Sequence, residues 1–139
     1  MRKLRCSVFL LLLFGCGVSP STAGPARIIT EGKLLVTVGK PASGAILVFH
    51  RIGTSPGELP PRAYVNADGA FTVKSVDGDG LPEGEYRVTV DWRTQGENGE
   101  EGRSLVSDKY TRLTSTPLKA IVKAGTDGKC TLPTYTLTN

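Results

Sequence analysis

A single histidine, His50, occurs in the chain of 139 residues, so any Ser-His-Asp, Cys-His or multi-histidine metal centre would have to be built on that one imidazole. It continues the face of Ile46 and Val48 at the end of an apolar run, which is the position of a strand-end residue; a hydrolase centred on His50 is the lesser alternative. The oxygens of Asp77, Asp79 and Glu83 cluster on a tight turn and are weak candidates for calcium, a hard cation that favours such ligands. The EF-hand register nevertheless fails. With Asp77 at position 1, Leu81 falls at 5, Pro82 takes the glycine position 6 and Val88 the bidentate position 12. An acidic reverse turn is the simpler reading, and no cofactor is expected.

Gly96, Gly99 and Gly102 have the look of a phosphate-binding loop, but Glu97, Glu100 and Glu101 stand between them and would repel an anion. The stretch reads as a solvated loop. Trp92 and Tyr64 are the aromatic side chains able to stack on a sugar. Trp92 is in phase with the core side of its strand, so the core is its expected place.

The remaining reactive groups are three cysteines. Met1-Arg2-Lys3-Leu4-Arg5 is a basic start, and Val8 to Phe14 is an apolar run well short of the ~20 residues of a spanning helix, which together describe an export signal. The run closes as Leu13-Phe14-Gly15-Cys16, which resembles the lipobox of bacterial lipoproteins, whose cysteine sulfur receives diacylglycerol before cleavage. Phe14 is bulkier than the residue usual at its position. The resemblance implies a signal peptide at residues 1–15, a lipidated tether at 16–27 with a palmitate-type anchor on Cys16, and a folded domain at 28–139. Cleavage after Ser21-Thr22-Ala23, giving a secreted protein that begins at Gly24, is the alternative. Gly17 in place of Asp after Cys16 resembles lipoproteins sent to the outer membrane where two membranes exist, so the expected location is the periplasmic or extracellular face of the cell envelope.

Loss of Arg2, Lys3 and Arg5 with the signal lowers Lys plus Arg from 17 to 14 against 13 Asp plus Glu, a mature charge near +1. The basic pI belongs partly to the targeting segment and gives no support for nucleic-acid binding. Cys6 leaves with the signal and Cys16 is acylated, so Cys130 has no intrachain partner and is expected to pack as a small apolar side chain at the start of the last strand. The alternative for it is an intermolecular disulfide.

The elements that must position these groups are strands. Gly84 to Trp92 alternates Tyr86, Val88, Val90 and Trp92 on one side with Glu85, Arg87, Thr89 and Asp91 on the other, a half-buried β-strand. Ile28 to Val38 contains a first strand with Leu34, Val36 and Val38 inward and Leu35 resting under a loop. Ala45 to His50 is apolar on both faces, as in a central strand buried on both sides. Arg62 to Asn66 and Ala70 to Lys74 flank Ala67-Asp68-Gly69, a hairpin signal with Phe71 and Val73 inward. Thr94 to Arg103 is expected to be a mobile polar loop. Leu105 to Pro117 is an irregular connection anchored by Tyr110 and Leu113, and Leu118–Lys123 and Cys130–Leu137 are two closing strands. About seven strands with no helical period predict an all-β sandwich.

Gly39-Lys40-Pro41-Ala42-Ser43-Gly44-Ala45 leading into Val48-Phe49-His50, then Asn66-Ala67-Asp68-Gly69-Ala70-Phe71, then Gly78-Asp79-Gly80-Leu81-Pro82-Glu83-Gly84-Glu85-Tyr86-Arg87-Val88-Thr89-Val90, together resemble the carboxypeptidase regulatory-like, transthyretin-like domain. With Lys109-Tyr110, Ser115-Thr116-Pro117-Leu118 and Val122-Lys123-Ala124-Gly125, the order of features resembles small bacterial lipoproteins built from that domain. The resemblance covers most of residues 32–137. It implies a seven-stranded prealbumin-like sandwich in the envelope without catalytic residues. Transthyretin-like hydrolases that open a purine-derived ring use several histidines and end in Tyr-Arg-Gly-Ser, whereas this chain ends Tyr135-Thr136-Leu137-Thr138-Asn139, so that activity does not carry over. The expected function is a non-catalytic, lipid-anchored structural or binding module whose partner is an envelope protein or a glycan; a secreted carbohydrate- or calcium-binding domain is the alternative.

Overall fold

A computed structural model describes residues 24–54 and 57–138. The chain builds twelve strand segments: β1 (Arg27–Val36), β2 (Ile46–Arg51), β3 (Arg62–Tyr64), β4 (Ala70–Ser75), β5 (Gly78–Asp79), β6 (Leu81–Pro82), β7 (Gly84–Asp91), β8 (Arg93–Gln95), β9 (Glu101–Ser104), β10 (Lys119–Val122), β11 (Lys129–Thr131) and β12 (Tyr135–Leu137). A single helical turn, α1 (Asp108–Thr111), lies between β9 and β10. Seven strands were expected. The larger number arises because β5 and β6 are two-residue pairings, because β8 and β9 form in a stretch expected as a loop, and because Leu132-Pro133-Thr134 splits the closing strand into β11 and β12. Pro133 has no N–H to continue a ladder.

The main sheet runs β10-β7-β2-β3-β4-β1-β11 and curls on itself. The corner is β4, whose Ala70, Phe71 and Thr72 pair with β1 while Val73 and Lys74 pair with β3. One strand thereby serves both layers of an all-β sandwich. The first layer is antiparallel, with β2 paired along its length to β7 and flanked on its other side by β3. In the second layer β11 and β12 run parallel to β1, in register Thr30↔Cys130 and Leu35↔Thr136. The turn after β10 therefore carries the chain from one layer to the other, since β10 pairs with β7.

Between the layers lie Leu47, Phe49, Ala63, Val73, Tyr86, Val88 and Val90 from one side and Leu34, Leu81, Cys130, Leu132, Tyr135 and Leu137 from the other. Phe71 joins them, with its ring tilted at 50° to Phe49 and stacked on Tyr135 at a centroid distance of 6.4 Å. Opposite the Phe71 ring β1 has Gly32, where a Cβ would sit 2.7 Å from the ring edge. Thr30 is fully buried and satisfies its hydroxyl by donating to the Ile28 carbonyl at 2.8 Å.

Several local expectations change. Val38 is 75% exposed because β1 ends at Val36 and a turn follows, with the Gly39 amide donating to the Val36 carbonyl. Leu35, out of phase, does lie under a loop, bridging to Pro41. The strand Ile46–Arg51 is central, but only one of its faces is fully buried; Ile46, Val48 and His50 are half-buried on the other. Thr94 to Arg103, expected as a loop, contains a hairpin of β8 and β9, closed by the Gly96 amide on the Glu100 carbonyl and by Arg93 between Asp91 and Glu101 at 3.0 and 3.3 Å. Opposite charges across that short ladder supply a pairing signal absent from its apolar content. In the following connection Tyr110 is buried as an anchor, donating to or accepting from Thr138 Oγ1, but Leu113 is not, being 45% exposed.

Candidate functional site

Cys16, the signal peptide and the alternative cleavage site after Ala23 lie outside the described residues. The other candidate groups fall at two ends of the first layer and across its outer face.

His50 is the next-to-last residue of β2 and lies on the outer face, as its phase with Ile46 and Val48 requires. It sits opposite Arg87 of β7, and its Nε2 lies 3.0 Å from the Thr89 hydroxyl. Burial holds its pKa below the usual 6.5. Beside it is a groove of about 460 Å³ lined by His50, Arg51, Ile52, Gly53, Arg87 and the Leu113–Thr114 segment. Among the described residues no carboxylate lines this groove, a second cavity that His50 also borders includes Glu58, which makes no hydrogen bond to the imidazole, and the Thr89 hydroxyl is itself buried. The pair forms a hydrogen-bonded strand-end contact.

Asp77, Asp79 and Glu83 do not converge. Asp77 is taken by Arg27, whose Nη2 lies 3.0 Å away while its Nη1 reaches the Ser75 hydroxyl. Asp79, on β5, faces Lys74 across the ladder. The side chain of Glu83 is exposed, and its backbone carbonyl accepts from Arg51 at 3.0 Å. Among the described residues no group of three His, Cys, Asp or Glu side chains is placed to hold a metal ion. The acidic turn instead closes the sandwich: Gly80 has φ +86° and passes so near the Ile28 carbonyl that a Cβ would collide with it.

Trp92 lies half-buried in the one-residue break between β7 and β8, packed on the core edge, and its Nε1 donates to the Ser43 carbonyl at 3.0 Å. Tyr64, in contrast, is 64% exposed on β3. Cys130 is a buried free thiol on β11, 3.7 Å from the Ile121 carbonyl.

One arrangement was not foreseen from the sequence. Pairing on the outer face sets Lys74 beside Arg62, and His50 beside Arg87 beside Lys119, across β4, β3, β2, β7 and β10. The carboxylates of this face include Asp79, directly opposite Lys74 on β5, Glu85, two residues from Arg87 on β7, and Asp91, which is paired to Arg93. Among the described residues none of Arg62, Lys74, Arg87 and Lys119 makes an ion pair. The signal for this face lies in the alternation of each strand, but strand order is needed to assemble it.

No protein family, curated protein or solved structure matches this chain.

Proposed function

We propose that the protein is a non-catalytic lipoprotein of the cell envelope, held to a membrane through acylated Cys16, whose β-sandwich is a structural or binding module. The observation that carries this reading is the placement of Cys16: it closes the apolar run Val8 to Phe14 behind Gly15 and stands about eleven residues before β1 starts at Arg27. That interval is rich in Gly, Pro, Ser and Thr and suits a tether from a lipid surface to a folded body. Each acyl methylene buried in the bilayer contributes ~0.8 kcal/mol, so two or three chains hold the protein effectively permanently without a spanning helix. The non-catalytic part of the reading is supported by His50, whose ring hydrogen-bonds a buried hydroxyl, faces an arginine across the ladder and makes no hydrogen bond to a carboxylate among the described residues.

The test is metabolic labelling with an alkynyl fatty acid, followed by intact mass of the mature protein. A chain beginning at Cys16 with acyl mass on it is expected, with label and membrane fractionation both lost in Cys16→Ala. A mature chain that begins at Gly24 and carries no acyl group overturns the reading.

A further inference from the structure

We propose that the outer face of β4-β3-β2-β7-β10 binds an acidic polysaccharide, with Lys74, Arg62, Arg87 and Lys119 meeting its carboxylates and Tyr64 stacking on a sugar ring. The starting observation is an electrostatic cost built into the sheet. Lys74 and Arg62 are cross-strand neighbours, and so are Arg87 and Lys119. Like charges directly opposite each other destabilise strand pairing. Asp79 stands directly opposite Lys74 on β5 and Glu85 lies two residues from Arg87 on β7, but among the described residues neither forms an ion pair with these cations, and no carboxylate stands between Arg62 and Lys74 or between Arg87 and Lys119. An anion laid along the face removes the repulsion and gains the attraction.

The shape of the patch selects the anion. The cations come from four of five adjacent strands, as two rows offset by two residues, Lys74–Arg62 and Arg87–Lys119, with Val48 and His50 of β2 between them, and the five strands span ~19 Å at the ~4.8 Å strand spacing. A single phosphate would use one end of that span, whereas a linear polymer with one charge per repeat uses its length. Arg87 is the least exposed of the four and is braced by donation from Nη1 to the Leu113 carbonyl, which fixes its direction while leaving its other N–H groups for the ligand.

Tyr64 separates a sugar from other polyanions. It lies two residues from Arg62 on the same face of β3, opposite Ile46, and keeps 64% of its surface exposed although β3 is interior to the sheet. A phenol ring beside a row of cations offers a platform for the C–H face of a pyranose while the ring carboxylate reaches the charges. A polyphosphate has no use for it.

This deepens the binding-module reading and rests on it, but the measurement does not involve Cys16, so loss of the anchor and loss of the ligand are read separately. The purified full chain is titrated with polygalacturonate, with neutral dextran, polyphosphate and vesicles of anionic phospholipid as comparators. Polygalacturonate is expected to bind with an affinity that falls as salt rises, and dextran is expected not to bind. The triple variant Arg62→Gln, Lys74→Gln, Lys119→Gln should lose about tenfold in affinity with an unchanged melting temperature, since all three side chains are exposed. Tyr64→Ala should weaken polygalacturonate binding and leave any polyphosphate binding unaltered. No binding of polygalacturonate by the natural sequence, full retention by the folded triple variant, or tighter binding of polyphosphate or vesicles with Tyr64→Ala silent, each overturns the proposal.

Discussion

His50 shows how much of a residue's behaviour is decided by the side chains that the fold places around it. As the sole histidine it draws attention as a catalytic candidate, yet its immediate contacts are the Thr89 hydroxyl at 3.0 Å and, across the ladder, Arg87. Burial lowers its pKa, so the unfolded chain, with a value near 6.5, takes up the proton more readily than the folded one. The sign follows: above about pH 6.5 both states are neutral at this site and stability does not respond. As pH falls from there into the lowered folded range, stability drops. Denaturant unfolding at pH 7.5 and 5.5 should show a larger loss for the natural sequence than for His50→Gln, and equal losses would mean that the imidazole is not the titrating group. The exposed pairs Arg27–Asp77 and Arg112–Asp108 add little by comparison, because solvent screens them.

At the level of elements, the acidic turn before β7 acts through its backbone. Asp77-Gly78-Asp79-Gly80 looks like metal chemistry in one dimension, but the side chains diverge and the chain path does the work: β5 joins β4, β6 joins β1, and Gly80 passes against the Ile28 carbonyl between them. Gly80→Ala combines a positive φ with a backbone collision, so it should cost about 2–4 kcal/mol. Asp79→Asn in the same turn should stay within about 0.5 kcal/mol, because it changes an exposed side chain only. Chemical denaturation of the two variants checks both. Equal effects would return the turn to a role for its carboxylates. The hairpin β8–β9 is the opposite case, since its residues are nearly all exposed and it is joined to the core edge mainly through Trp92 and the Leu105 amide on the Trp92 carbonyl.

On the scale of the whole molecule, β4 is the strand that makes one unit of two layers. Its first half pairs with β1 and its second with β3, and Phe71 at the junction touches aromatic rings of both layers. The core is continuous through that corner, so neither layer has an apolar face that survives alone. Unfolding followed by Trp92 fluorescence, which reports on the end of β7, and by far-ultraviolet circular dichroism should give coincident transitions. Two separated midpoints would show that the layers unfold independently. Truncating Phe71 to Ala is the matching perturbation, and the ~3–5 kcal/mol typical of a buried Phe should appear in both signals at once.

The alternation of β7, the Asp-Gly hairpin before β4 and the all-β character were legible in the sequence because period-2 patterning and turn chemistry are local. So was the burial of Cys130, which follows from its place at the start of a closing strand. The end of β1 at Val36, the split around Pro133 and the ladder of β8 with β9 were not, because each depends on which distant segment is available to pair. The cationic face is the clearest instance: Lys74, Arg62, Arg87 and Lys119 are scattered over 58 residues of chain and are ordinary surface positions one strand at a time. Their juxtaposition is a property of strand order and register, which only the folded sheet settles, because hydrogen bonding between strands brings together residues that no sequence interval relates.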